Sequence, residues 1–209
     1  MKTCTFTATA ISKTISAKYT IDICDVHPSQ CLTFENKNHF AYLCKNGCKN
    51  YNMKWSCPPH APAFSSLALR WTNLYILYMR IPLDAFAGIK NDYLKIKAAN
   101  SMLKSRAERY MRMLAEKHGM YISTGSCRLC KPCKLQKGKP CAHPQKMAYS
   151  FEALGIDVGA LVNEYFAFPL LWYKKGTLPE YSAVVCGLLT NENLPLELLM
   201  REYFKIIKD

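Results

Sequence analysis

No apolar run in this sequence exceeds nine residues, and the longest, Tyr165 to Tyr173, is broken by Pro169. A membrane-spanning helix needs roughly 20, so a transmembrane protein is excluded on this count. The first residues, MKTCTFTATAISKT, hold one early lysine but no sustained apolar stretch and no cleavage pattern. The chain therefore reads as soluble and cytoplasmic, with no membrane partner. Acidic residues are scarce: 15 Asp and Glu stand against 28 Lys and Arg, giving a formal charge of +13. Several enzyme signatures are missing altogether. There is no Walker loop, no GxGxxG turn, no Ser/His/Asp order and no flavin motif. The CxxxCxxC of radical enzymes is absent too, because Cys48 and Cys57 stand too far apart. No internal repeat and no low-complexity tract interrupts the 209 residues.

What is present is an apolar half of the chain, enough to bury a sizeable core, and eleven cysteines. Eleven is an odd number, about 5% of the chain, which is too sparse for a small disulfide scaffold. Their distribution says more than their count. Cys44, Cys48 and Cys57 fall within fourteen residues, and Cys127, Cys130, Cys133 and Cys141 within fifteen. Cys4, Cys24, Cys31 and Cys186 are scattered. Packing thiols have no reason to bunch, whereas metal ligands do.

The apolar periodicity predicts an α+β fold: one compact domain over 1–209, an antiparallel or mixed sheet with flanking helices, and two cysteine-rich loops at 44–60 and 125–144. Thr3 to Ile11 and Tyr19 to Val26 read as strands, and Asn73 to Ile81 as a strand buried on both faces. Asp92 to His118 is the clearest helix. Ile96, Ala99, Leu103, Ala107, Tyr110 and Leu114 make one apolar stripe, with Gly119 as its C-cap. Further helices are expected near Gln30 to Leu43, Lys146 to Leu154, Val158 to Phe166 and Pro195 to Ile207. Strands are expected at Pro169 to Tyr173 and Tyr181 to Leu189, joined through Lys174, Lys175 and Gly176.

In the second loop, Cys127, Cys130 and Cys133 recur at one step and Cys141 follows after seven residues. One CxxC pair suits zinc. A third cysteine at the same step, completed by a distant fourth, suits a chain curling around a [4Fe–4S] cube. Four sulfurs serve either group, so zinc stays as the alternative. In the first loop, Cys44, Cys48 and Cys57 provide three sulfurs, the last followed by Pro58 and Pro59. The fourth ligand there is Cys31, Cys24, Cys186 or His60, or is missing. A missing one leaves an iron open to ligand or substrate, as a catalytic zinc keeps a position free. His60 and His143 are read as neighbours of the ligand cysteines, and Trp55 and Tyr51 as shields against water. Glu152 and Asp157 are possible proton donors, Asp157 being better placed as the N-cap of the helix after Gly155.

Two segments, GCKNYNMKWSCPPHAP and GSCRLCKPCKLQKGKPCAHPQKMAYSFEALGIDV, resemble the predicted metal-binding proteins grouped as domain of unknown function 2284. The elements that carry the likeness include Tyr51, Ser56 to Pro59, Gly125, Pro144, Ser150, Glu152, Ala153 and Gly155 to Val158, besides the seven cysteines. The resemblance spans about residues 40 to 190 and implies an iron–sulfur type of protein, as in anaerobes, without implying a reaction.

The basic charge invites a nucleic-acid reading. No RRM, KH or helix-turn-helix signature accompanies it, and seven ligating thiolates would lower the formal +13 to +6. Two function classes follow. The first is an iron–sulfur oxidoreductase or electron carrier holding one or two [4Fe–4S] clusters and meeting an acidic partner such as a ferredoxin or flavodoxin. The second is a zinc-stabilised module that binds nucleic acid or a protein.

Overall fold

A computed structural model describes residues 2–12, 15–174 and 176–207. Its centre is β3 (Asn73–Pro82), the near-continuous apolar run NLYILYMRIP. Alternate side chains of such a run point to opposite faces, and both faces are covered here. Leu74, Ile76 and Tyr78 enter one core, and Tyr75, Leu77, Met79 and Ile81 the other. Antiparallel neighbours flank it: β2 (Ser16–Val26) on one side and β6 (Tyr181–Thr190) on the other. The sheet is completed by β1 (Lys2–Ile11) beside β2 and by β4 (Gly119–Ser123) beside β6. A two-residue β5 (Tyr149–Ser150) pairs in parallel with β4. The order is β1-β2-β3-β6-β4-β5, a mixed six-stranded sheet, and the fold is α+β as expected.

Helices cover both faces. On one lies α3 (Asp92–His118), its buried stripe Ala99, Leu103, Ala107, Tyr110, Met111 and Leu114. Beside it packs α5 (Leu196–Ile206) through Leu196, Leu199, Tyr203 and Ile206. Polar atoms inside this layer are matched: the Tyr19 and Tyr203 hydroxyls share a hydrogen bond, and Tyr110 donates to the Leu199 carbonyl. The other face is covered by α2 (Phe64–Ala68), α4 (Val158–Tyr165) and the turns around Phe151 to Ile156. No described helix is long and apolar enough to cross a membrane.

Four local expectations change. The segment expected as a helix from Gln30 to Leu43 splits into a 3-10 turn, Pro28–Phe34, and α1 (Lys37–Gly47). Between them Glu35 bridges to Ile156, and the Asn36 side chain accepts from His39 N–H to start the second helix. Cys44 therefore sits on the last turn of α1 instead of in a loop, with Cys48 as its C-cap. Lys146 to Leu154 is not a helix. It is β5 and a turn in which the Ser150 hydroxyl accepts from Ala153 N–H, a local bond that competes with helical pairing. Pro169 to Tyr173 forms no ladder, because its contacts run through the Pro169 carbonyl, which accepts from the Tyr78 and Tyr181 hydroxyls. Lys174 bridges to Thr177, and Lys175 lies outside the described residues.

Gly119 ends α3 where the chain presses on β6. A Cβ there would lie 2.0 Å from the Leu189 carbonyl oxygen. Gly47 has nothing within 4 Å. Gly119→Ala is expected to cost about 3 kcal/mol, the upper end for overpacking, lowering Tm by about 6–12 °C. Gly47→Ala should leave Tm unchanged or slightly raised. Thermal unfolding of the two variants checks both.

Candidate metal centre

The second cysteine loop leaves the sheet at the end of β4. Its backbone has one 3-10 turn, Lys134–Lys137, closed by Gly138 at φ +63°, a conformation that glycine adopts without cost. Elsewhere it is irregular. Cys127, Cys130, Cys133 and Cys141 all line one small cavity. The other walls come from Leu129, His143 and Met147 of the same segment and from Lys54, Trp55 and Ser56 of the first loop. Burial lifts the hydroxyl of Tyr149, on β5, above the usual range, and Cys141 and Cys127 add to the rise. Among the described residues no three His, Cys, Asp or Glu donors are drawn close enough to hold one metal ion as they stand.

The first site is built from the end of α1 and the turns after it. Cys48 N–H donates to Cys44 O at 3.0 Å, which brings both residues to one end of the helix. Asn52 then takes a left-handed backbone conformation, φ +54°, which Asn tolerates better than most residues. Its N–H donates to Pro58 O, folding Cys57 back. Cys57 is buried, Cys44 half-buried and Cys48 exposed. Burial pushes the Cys57 thiol up to about 11, with Cys48 and Cys44 adding to the rise and Ser56 and Lys54 opposing it. Cys44 is raised by burial, then by Cys48 and Glu152, against Lys37. Burial and neighbouring sulfurs thus hold Cys44 and Cys57 as thiols, and a bound cation is what would let them ionise.

The two loops meet along a polar seam. Lys54 Nζ donates to Ser126 Oγ at 2.9 Å and to Cys127 O at 2.8 Å. Ser56 Oγ accepts from Cys127 N–H at 3.1 Å, and Trp55 Nε1 donates to Lys139 O at 3.1 Å. Gln136 reaches Met53 O. The two loops therefore lie against each other, and Trp55 stands on the wall of the four-cysteine cavity. Lys54 and the bridging role of Ser56 were not legible beforehand. The only signal for Lys54 was a cation in a turn-rich stretch between two ligand cysteines.

The remaining cysteines lie in the sheet's cores. Cys24 and Cys31 are wholly buried on one face, each pushed up to about 12 by burial, with the Tyr165 hydroxyl bonded to Cys31. Cys186 is wholly buried in the opposite core. His60 Nε2 shares a hydrogen bond with Asn52 Oδ1 at 2.8 Å and its ring packs edge-on against Trp55. Cys24, Cys31 and Cys186 are thus taken up by the sheet's cores, and His60 is already bonded. Asp157 caps α4, accepting from Ala160 N–H at 3.0 Å, as its position suggested.

The model of a family described as "Predicted metal-binding protein (DUF2284)" matches residues 29–189. No curated protein and no solved structure matches the chain. The matched span contains all seven bunched cysteines and every residue of the seam, and the chain belongs to this family of predicted metal-binding proteins.

Proposed function

We propose that this is an iron–sulfur redox protein. Cys127, Cys130, Cys133 and Cys141 hold a [4Fe–4S] cluster for electron transfer, and Cys44, Cys48 and Cys57 hold a second one, with one iron left free of protein sulfur for ligand or substrate. The observation that carries this reading is the cavity on which four cysteines converge. Three cysteines at one step, completed by a distant fourth, suit the separate corner irons of a cube better than the single point of a tetrahedral zinc. The fourth-ligand candidates for the three-cysteine site are buried in the sheet's cores or already bonded, which favours the open position.

Such a cluster supplies one-electron transfer, with a potential tuned by hydrogen bonds, charge and solvent exposure. The chain's own residues provide that tuning. Lys54 brings a cation to the seam between the sites, and Trp55 and Tyr149 limit water. Arg128, Lys131, Lys134, Lys137 and Lys139 are exposed around the four-cysteine site, in a segment without an acidic residue. That face suits an acidic electron partner of the ferredoxin or flavodoxin kind. All eleven cysteines are free thiols, which fits a reducing compartment such as the cytoplasm.

Protein purified without oxygen should be brown and hold about eight iron atoms per chain, four per cluster. Serine at any one of Cys127, Cys130, Cys133 or Cys141 should remove about four of them, with a matching loss of sulfide. Cys31→Ser and Cys186→Ser should leave iron unchanged. A colourless zinc protein, or full iron in all four loop variants, would refute the reading.

Lys54→Met removes two charge-assisted bonds across the seam. A loss of about 2 kcal/mol is expected, seen as a Tm lower by about 4–8 °C, together with a more negative reduction potential in electrochemical titration.

A further inference from the structure

The segment Ser150 to Val158 holds the first cysteine site in place, and nearly every residue in it has a structural task. The Ser150 hydroxyl closes its turn. The Ala153 carbonyl accepts from Lys37 Nζ at 2.6 Å, and the Gly155 carbonyl from Asn36 N–H at 2.7 Å. Gly155, at φ +96°, has no room for a side chain, since a Cβ would lie 2.7 Å from Lys37 Cα. Asp157 caps α4. The Glu152 carboxylate is the exception. It takes part in no hydrogen bond or ion pair among the described residues, and it lines a cavity instead.

That cavity, of about 260 Å³, lies between the first half of α3, the start of β6 and the extended segment around Trp172. Its apolar walls include Ile96, Leu170 and Trp172. Lys104 also lines it and likewise forms no hydrogen bond or ion pair among the described residues. Burial holds the Lys104 ammonium below its ordinary value; Arg128 adds to that and Glu152 opposes it. The cavity thus has two cations within electrostatic reach and one carboxylate. A wider cavity, of about 590 Å³, is lined by Arg112, Glu116 and Lys146. There the charges are already engaged, Arg112 with Glu108 and Lys146 with Glu116. An uncommitted cation among apolar walls marks a ligand site more specifically than volume does.

We propose that this cavity binds a small molecule with an apolar body and a single acidic group, the acid on Lys104 and the body against Trp172 and Ile96. Glu152 sits on the turn that grips Lys37 and Asn36 at the start of α1, the helix whose last turn carries Cys44, so the cavity and the first cysteine group share one segment. That the bound molecule is the substrate of that group rests on the iron–sulfur reading. The binding does not.

The test is calorimetric titration of the full chain, purified without oxygen and with its metal content measured, using octanoate, octanol and octylamine as probes. Octanoate should bind at least about tenfold tighter than octanol, and octylamine should not bind. Lys104→Gln should abolish the advantage of octanoate, Lys104→Arg should retain it, and Lys146→Gln should leave it unchanged. Glu152→Gln, by removing a like charge, should tighten octanoate severalfold. The proposal is overturned if octanoate fails to bind at millimolar concentration, if the three probes bind alike, or if Lys104→Gln leaves octanoate affinity unchanged. Weaker octanoate binding in Glu152→Gln would overturn it too. Unchanged metal content in these variants separates a failed pocket from a failed cluster reading.

Discussion

Lys54 donates from one cysteine loop into the backbone and side chain of the other, and the junction of the two loops depends on that contact. Two long irregular segments carry many carbonyls and N–H groups that no ladder or helix pairs, and buried groups of this kind must find partners. Lys54, Ser56, Trp55 and Gln136 supply them across the gap. A lysine suits the position because its ammonium offers three donors on a flexible stem. It satisfies Ser126 Oγ and Cys127 O at once while placing positive charge beside sulfurs that must ionise to bind metal.

The sheet supplies the rigid side of that junction. β3 and β6 are buried on both faces, so the ends of β4 and β5 are anchored where the second loop leaves and returns. On the other side, Lys37 and Asn36 grip the turn at Ala153 to Gly155, and α1, which buries none of its own residues, is held in place by that grip. Cys44 is thus positioned by polar contacts at the start of its helix, not by an apolar face. The same turn leaves the Glu152 carboxylate without a hydrogen bond or ion pair among the described residues, on the wall of the cavity. Structural order and chemical opportunity come from one nine-residue segment.

The sequence by itself singled out two groups of cysteines as candidate ligands, because metal ligation needs sulfurs at short regular steps and packing does not. It determined the long helix and the doubly buried strand too, since both are written as periodicities within one segment: Ala99 to Leu114 at helical spacing, and Asn73 to Ile81 without a polar face. Tertiary structure alone decided the fate of Lys146 to Leu154 and of Pro169 to Tyr173. There a serine hydroxyl and a proline carbonyl found partners that local pattern does not reveal. It alone decided that Cys31 and Cys186 lie in the sheet's cores, and that Glu152 and Lys104, 48 positions apart, line one cavity. The reason is the same in each case: hydrogen bonding, burial and charge act over a few ångströms in space, and the chain separation between the groups they join leaves no periodic trace.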